Sequence, residues 1–171
     1  MKRLALILLV GVIVCAVGWG LWPETPLPAD AKADLVVVRK SDRIIELYRG
    51  SELLRAYPIS LGRHPVGKKQ QQGDGRTPEG EYRLDYRNPN SSFHNALHIS
   101  YPQSDDVAIA RKLGVNPGGL VMVHGMKNGF GWLGRLARVI DWTDGCVAVT
   151  NREMDEIWRA VPDGTKIILR P

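Results

Sequence analysis

Alternation of apolar and polar residues dominates the chain from about residue 34 onward. Asp34-Leu35-Val36-Val37-Val38-Arg39-Lys40 and Arg43-Ile44-Ile45-Glu46-Leu47-Tyr48-Arg49 are two β-rich runs separated by Ser41-Asp42, a hairpin signal. A third strand is predicted in the run from Glu52 to Gly62, followed by a Gly- and Gln-rich loop from Gly62 to Gly75. Glu81–Arg87, Ala96–Pro102 and Gly119–Gly125 read as three further short strands, each bounded by Pro, Asn or Gly. Two helices interrupt this pattern. Ser104-Asp105-Asp106 opens one that Gly114 stops, and Thr150-Asn151-Arg152-Glu153 has the capping-box spacing ahead of a second. Pro162-Asp163-Gly164 then turns the chain into a last strand, Lys166–Arg170. The expected architecture is mainly β with a few short helices, a sheet or sandwich.

The first 33 residues follow different rules. Leu4 to Trp22 is an unbroken apolar run of 19 residues without a charge, preceded by Lys2 and Arg3. A soluble helix would need a polar face, so the run reads as an N-terminal transmembrane or signal helix, retained as an anchor or cleaved after export. Pro23, Pro26 and Pro28 make the following segment a stiff spacer. The expected organisation is therefore a signal anchor or signal peptide at 1–22, a Pro-rich linker at 23–33 and one folded domain at 34–171. The export signal implies a periplasmic domain held at the inner membrane, or released by cleavage.

Composition narrows the class. The 171 residues are 44% hydrophobic and 24% charged, which excludes a disordered chain, a coiled coil and a polytopic membrane protein. The net charge of +5 is too mild for a nucleic-acid footprint, and two cysteines are too few for a disulfide scaffold or a zinc cluster. Cys15 lies in the apolar run, so Cys146 is the one thiol of the exported domain.

Cys146 follows Asp141-Trp142-Thr143-Asp144-Gly145 and precedes the strand-like Val147-Ala148-Val149. Gly145 allows a sharp turn, and the amides of such a turn can face a developing oxyanion. A nucleophilic thiol needs a base or an electropositive neighbour that lowers its pKa. Among His64, His94, His98 and His124, the best-placed base is His124, which closes the apolar strand Leu120–Val123 and precedes Gly125. The competing reading of each is ordinary: a buried small hydrophobe for Cys146, and a hydrogen-bonded strand-end residue for His124.

Two decoys are set aside. Gly62 to Lys69 approaches a phosphate-binding loop, but Lys69 stands where Ser or Thr is required and Pro65 removes an amide. His94 and His98 are four apart, but His98 lies in a strand-like alternation, so no metal site is assigned.

Taken in order, Pro58-Ile59-Ser60-Leu61-Gly62, Arg76-Thr77-Pro78-Glu79-Gly80, Val123-His124-Gly125 and Gly145-Cys146-Val147 resemble the L,D-transpeptidase (YkuD) catalytic domain family over most of 34–171. The resemblance implies an L,D-transpeptidase-like β-sandwich that remodels peptidoglycan. It further implies Cys146 as nucleophile, His124 as base, the Gly125 carbonyl orienting the imidazole, and amides near Gly145 and Cys146 as the oxyanion hole. The chemistry implied is acylation of the thiol by a meso-diaminopimelate residue of a stem peptide, then resolution by an amine or water, with no cofactor. Carbapenem acylation of Cys146 is a further implication. His98, Asp144, Thr143 and Arg76 are the expected substrate-binding residues, and partners are peptidoglycan stem peptides, wall-linked lipoprotein and the inner membrane, with no nucleic acid.

This chain departs from the family pattern at two motif positions. Asp144 replaces the usual motif histidine, and Ala148 stands where Arg or Asn is common. In addition, 21 residues separate His124 from Cys146, a longer stretch than is common, including Gly129–Gly134, read either as a lid or as a surface loop. The Trp-Thr-Asp-Gly-Cys form is similar to the YafK-like branch, associated with cleaving diaminopimelate linkages. Three outcomes therefore stay open: a transferase, a hydrolase that also releases wall-bound lipoprotein, and a non-catalytic wall-binding module.

Overall fold

In the computed structural model, the described residues are Thr25–Pro171, with Gly11 alone before them, so the apolar run lies outside what is described here. Eight strands form one mixed sheet: β1 (Leu35–Arg39), β2 (Ile44–Arg49), β3 (Glu52–Pro58), β4 (Gly80–Arg87), β5 (Ala96–Ile99), β6 (Met122–His124), β7 (Val147–Ala148) and β8 (Thr165–Arg170). Their order is β3-β2-β1-β8-β4-β5-β6-β7. Two helices, α1 (Ser104–Leu113) and α2 (Asn151–Ala160), and a 3-10 segment (Gly131–Val139) complete the described elements. Among the described residues no helix is long and apolar enough to cross a membrane.

The strands fall where alternation placed them, but the sandwich expected from the sequence takes the form of one curled sheet. Ser60, just past edge strand β3, exchanges two backbone hydrogen bonds with Ala148 of the opposite edge strand β7, both at 2.9 Å. The two edges therefore meet, and neither offers an open row of amides at this end. A two-residue strand such as β7 is too short to hold itself. It is pinned between β6, which it pairs in parallel through Val123↔Val147 and His124↔Ala148, and the Ser60 segment.

Leu97, Val123 and Val147 occupy one register row across β5, β6 and β7, and all three are buried in the core with Met154 and Ile157 of α2. Burying each such side chain contributes about 1.5–3 kcal/mol. Because strand side chains alternate, the residues between them must face the other way. His98, Met122 and His124 lie on that opposite face, and Cys146 stands at the head of β7 beside Met122. The hydrophobic pattern that builds the core thereby sets the polar row.

Helix α2 is capped as its sequence implied: Thr150 Oγ1 accepts from Glu153 N–H at 3.4 Å, and Glu153 Oε2 accepts from Thr150 N–H at 2.9 Å. In α1 the first turn is closed by Asp106, which accepts the Gln103 amide at 3.0 Å, and Gly114 ends the helix at φ 69°. The linker expected at 23–33 is more than a spacer. Leu27, Ala31 and Ala33 are buried, and the Leu27 amide donates to Glu156 of α2 at 3.1 Å. Apolar residues between the prolines give this segment something to bury, which composition alone did not weigh.

Candidate active site

Three chain segments converge behind the cysteine. A Cβ on Gly62 would lie 2.1 Å from the Gly75 carbonyl oxygen and 3.0 Å from Gly145 Cα. Gly145 adopts φ +122°, and a Cβ there would lie 2.4 Å from the Arg76 carbonyl oxygen. Only glycine fits such backbone-to-backbone packing. Thr143 completes the turn. It is buried, its hydroxyl donates to the Cys146 carbonyl at 2.8 Å, and the same oxygen accepts the Gly145 amide at 3.1 Å. Its own backbone is held by Leu61 and Arg63 at 3.1 and 3.0 Å. Thr143, expected at the substrate, is thus committed within the Cys146 turn, and the Gly145 amide is taken by Thr143.

Cys146 is partly exposed as a residue, and its sulfur accepts the Met122 amide at 3.4 Å, with the Leu120 carbonyl oxygen 3.8 Å away. Cys146 stands on the strand next to His124 and two residues back along it, so strand spacing and rise place the Cys146 Cα about 8 Å from the His124 Cα, with both residues on one face. His124 is 2% exposed. Its Nδ1 lies 2.6 Å from the Gly125 carbonyl oxygen. A carbonyl can only accept, so Nδ1 carries the proton and the neutral ring keeps its lone pair on Nε2. Phe93 covers the imidazole at a centroid distance of 4.2 Å, and Trp142 meets it edge-on at 5.8 Å.

This aromatic cover sets the electrostatics. Burial lowers the His124 pKa to about 4, against a smaller opposite pull from the Gly125 hydrogen bond. Burial likewise pushes the Cys146 thiol above its ordinary value, with the Asp144 carboxylate adding to the rise, while the Met122 amide and the Lys69 ammonium act the other way. The sequence suggests a thiol lowered by a base or an electropositive neighbour. Both groups instead rest neutral near pH 7, because each is removed from water before it meets the other.

The remaining expected residues divide. His98 shares a register row with Met122, donates from Nδ1 to Asp85 at 2.7 Å, and stacks on Tyr86 at 4.4 Å. It lies two strands from Cys146, about 10 Å away by strand spacing. Asp144 is exposed and pairs with Arg63, whereas the nearby Arg138 pairs with Glu153. Arg76 reaches the Cys146 turn by its carbonyl; its side chain lines a separate cavity of about 510 Å³ with His64, Asp74 and Val115. His94 and His98 bind different carboxylates, Asp155 and Asp85, at 2.6 and 2.7 Å.

Sequence reasoning missed Lys69. Its ammonium is buried against Asp74 at 2.9 Å and the Gln71 carbonyl at 3.1 Å, and lies 3.6 Å from where a Gly145 Cβ would sit. It had been dismissed with the phosphate-loop decoy, and nothing in its spacing signals burial beside a thiol. Phe93 was missed for the same reason, being remote in sequence from His124.

This arrangement belongs to a known class. The YkuD L,D-transpeptidase catalytic domain matches residues 33–169, and the chain belongs to that family. Among curated proteins it is 29% identical to Escherichia coli YafK, itself named only provisionally as an L,D-transpeptidase, over 94% of this chain and 64% of YafK. In structure it is similar to Pgp2, a helical cell shape determining protein of Campylobacter jejuni, with a TM-score of 0.60 and 24% identity over 82% of this chain and 48% of that one. An L,D-transpeptidase of Xylanimonas cellulosilytica aligns with a TM-score of 0.51 at 16% identity, covering 86% of this chain and 65% of the other. The chain thus spans about half to two thirds of the length of these relatives.

Proposed function

We propose that the protein is a peptidoglycan-modifying cysteine acyltransferase of the L,D-transpeptidase type, acting at meso-diaminopimelate of stem peptides. What supports this reading is a partly exposed Cys146 on the strand next to a buried His124 whose Nδ1 is tied to Gly125, which leaves Nε2 as the base. In the first step Sγ attacks the peptide carbonyl while Nε2 takes the thiol proton. The Cys146 amide faces the oxyanion in place of the Gly145 amide, which Thr143 occupies. Nε2 then gives the proton to the departing amine, and a thioester remains. An incoming amine or water, deprotonated by the same nitrogen, resolves it. His98 binds substrate at the far side of the polar row, and Asp144 with Arg63 forms the rim of the groove. The domain works in the periplasm, anchored through Leu4–Trp22 in the inner membrane.

Incubating the protein with defined muropeptides and weighing the products tests this. New crosslinks or exchanged terminal residues support transfer. Products heavier by one water identify a hydrolase with the same acyl-enzyme. No reaction, with Cys146→Ala still binding peptidoglycan like the unaltered protein, would leave only a wall-binding module.

A further inference from the structure

The stretch between His124 and Cys146 carries an apolar surface that the proposed chemistry does not use. Trp132 and Val139 are each 77% exposed, Ile140 is 65% and Leu136 52%. No residue of the 3-10 segment is buried. Phe130, Leu133, Leu136, Ile140, Met126 and Trp142 wall an apolar cavity of about 380 Å³ on the same side. A contiguous patch of this kind marks an interaction surface, whereas scattered exposed leucines do not.

A second observation says what covers it. The chain preceding the domain is fixed, because Leu27 is buried, its amide donates to Glu156, and Arg159 donates to its carbonyl at 2.9 Å. Thr25 then lines one cavity with Glu153 and Glu156. Glu153 in turn pairs with Arg138 of the 3-10 segment. The apolar run ends at Trp22, three residues before Thr25, a reach of about 10 Å even when fully extended. The end of the run is thereby held to the side of the fold on which Glu153 meets Arg138 of the 3-10 segment. Lys127 lines the same cavity and brings positive charge to its edge, which suits anionic lipid headgroups.

We propose that the Phe130–Ile140 face docks on the lipid surface that holds Leu4–Trp22, with Trp132 in the interfacial layer. The inference rests on the anchor reading of that run. Its consequence is positional: Trp142 belongs both to the apolar cavity and to the wall of His124, so docking holds the reactive groove at the membrane face. Substrate strands closest to the bilayer are then the ones within reach.

The test uses the full chain with Trp19 and Trp22 replaced by Phe, in nanodiscs whose phospholipid is brominated on the acyl chains. Three tryptophans remain, so quenching of Trp132 alone removes about one third of the emission, as expected for an interfacial aromatic. That loss should vanish in Trp132→Phe, a substitution at an exposed position. Co-elution with the disc without a Trp132-dependent loss overturns the docking and leaves the anchor intact; the patch would then face another protein surface or water. Failure to enter the disc overturns the anchor reading, and the docking with it.

Discussion

Burial of an uncharged imidazole must show in the acid stability of the protein. His124 in the unfolded chain has an ordinary pKa near 6.5, while in the fold it stands at about 4. Between these values the unfolded state binds the extra proton, so stability rises with pH across the window and is lost as the pH falls from 6.5 towards 4. Integrating over that window, about 2 kcal/mol disappears between pH 7 and pH 5, with most of the remainder gone by pH 4. His124→Gln keeps a hydrogen-bond donor for the Gly125 carbonyl and cannot ionise. Urea unfolding of both proteins at pH 7 and pH 5 isolates the effect, since every other titrating group is common to the pair. The unaltered protein should lose about 1 M more of its urea midpoint than the variant on acidification. Parallel losses would refute the reasoning, because they would mean that the ring charges in place and the aromatic cover does not exclude water. The same pKa puts the acid limb of kcat/KM near pH 4, below which the base is protonated; a limb at 6.5 would contradict it.

Other consequences follow from the same geometry. Lys69→Met should raise the Cys146 pKa further and Asp144→Asn should lower it, seen as opposite displacements of the pH profile for iodoacetamide alkylation. Gly145→Ala would drive a methyl into the Arg76 carbonyl and force a β-carbon onto a positive φ; we expect a loss of about 2 kcal/mol or more by thermal unfolding, together with loss of turnover. Arg138→Met leaves the buried Glu153 carboxylate without its cation and should cost about 3–5 kcal/mol in a urea titration. Thr150→Ala removes the α2 cap and should cost about 1 kcal/mol by the same measurement.

Local features were legible in the residues. Period-two alternation located the strands, and the Thr150–Glu153 spacing announced α2. What could not be read depends on contacts between distant segments. Nothing in Lys166–Arg170 says that the last strand inserts between β1 and β4, parallel to one and antiparallel to the other. Leu27 looked like part of a spacer because its partner, Glu156, is 129 residues away. The electrostatics of the site were unreadable for the same reason: Phe93 and Trp142 close over His124, and Lys69 reaches the Cys146 turn, from three different loops.

A thiol and an imidazole that both rest neutral change how the proposed reaction must run. With no resident thiolate, the proton leaves Sγ only as the carbon–sulfur bond forms, so the base and the carbonyl have to be in place together. A substrate that fills the groove but misplaces its carbonyl gains nothing, which builds selectivity into the chemical step. The resting sulfur is also protected. Oxidation of cysteine follows thiolate character, and in the exported setting proposed above an ionised thiol would be the first casualty. Lys69 matters at the other end of the step. Its buried ammonium is already held by Asp74 and Gln71, so it needs no reorganisation when negative charge appears at the Gly145–Cys146 turn. In the proposed step the sulfur stays uncharged until a carbonyl arrives, with the Lys69–Asp74 pair already fixed beside the turn.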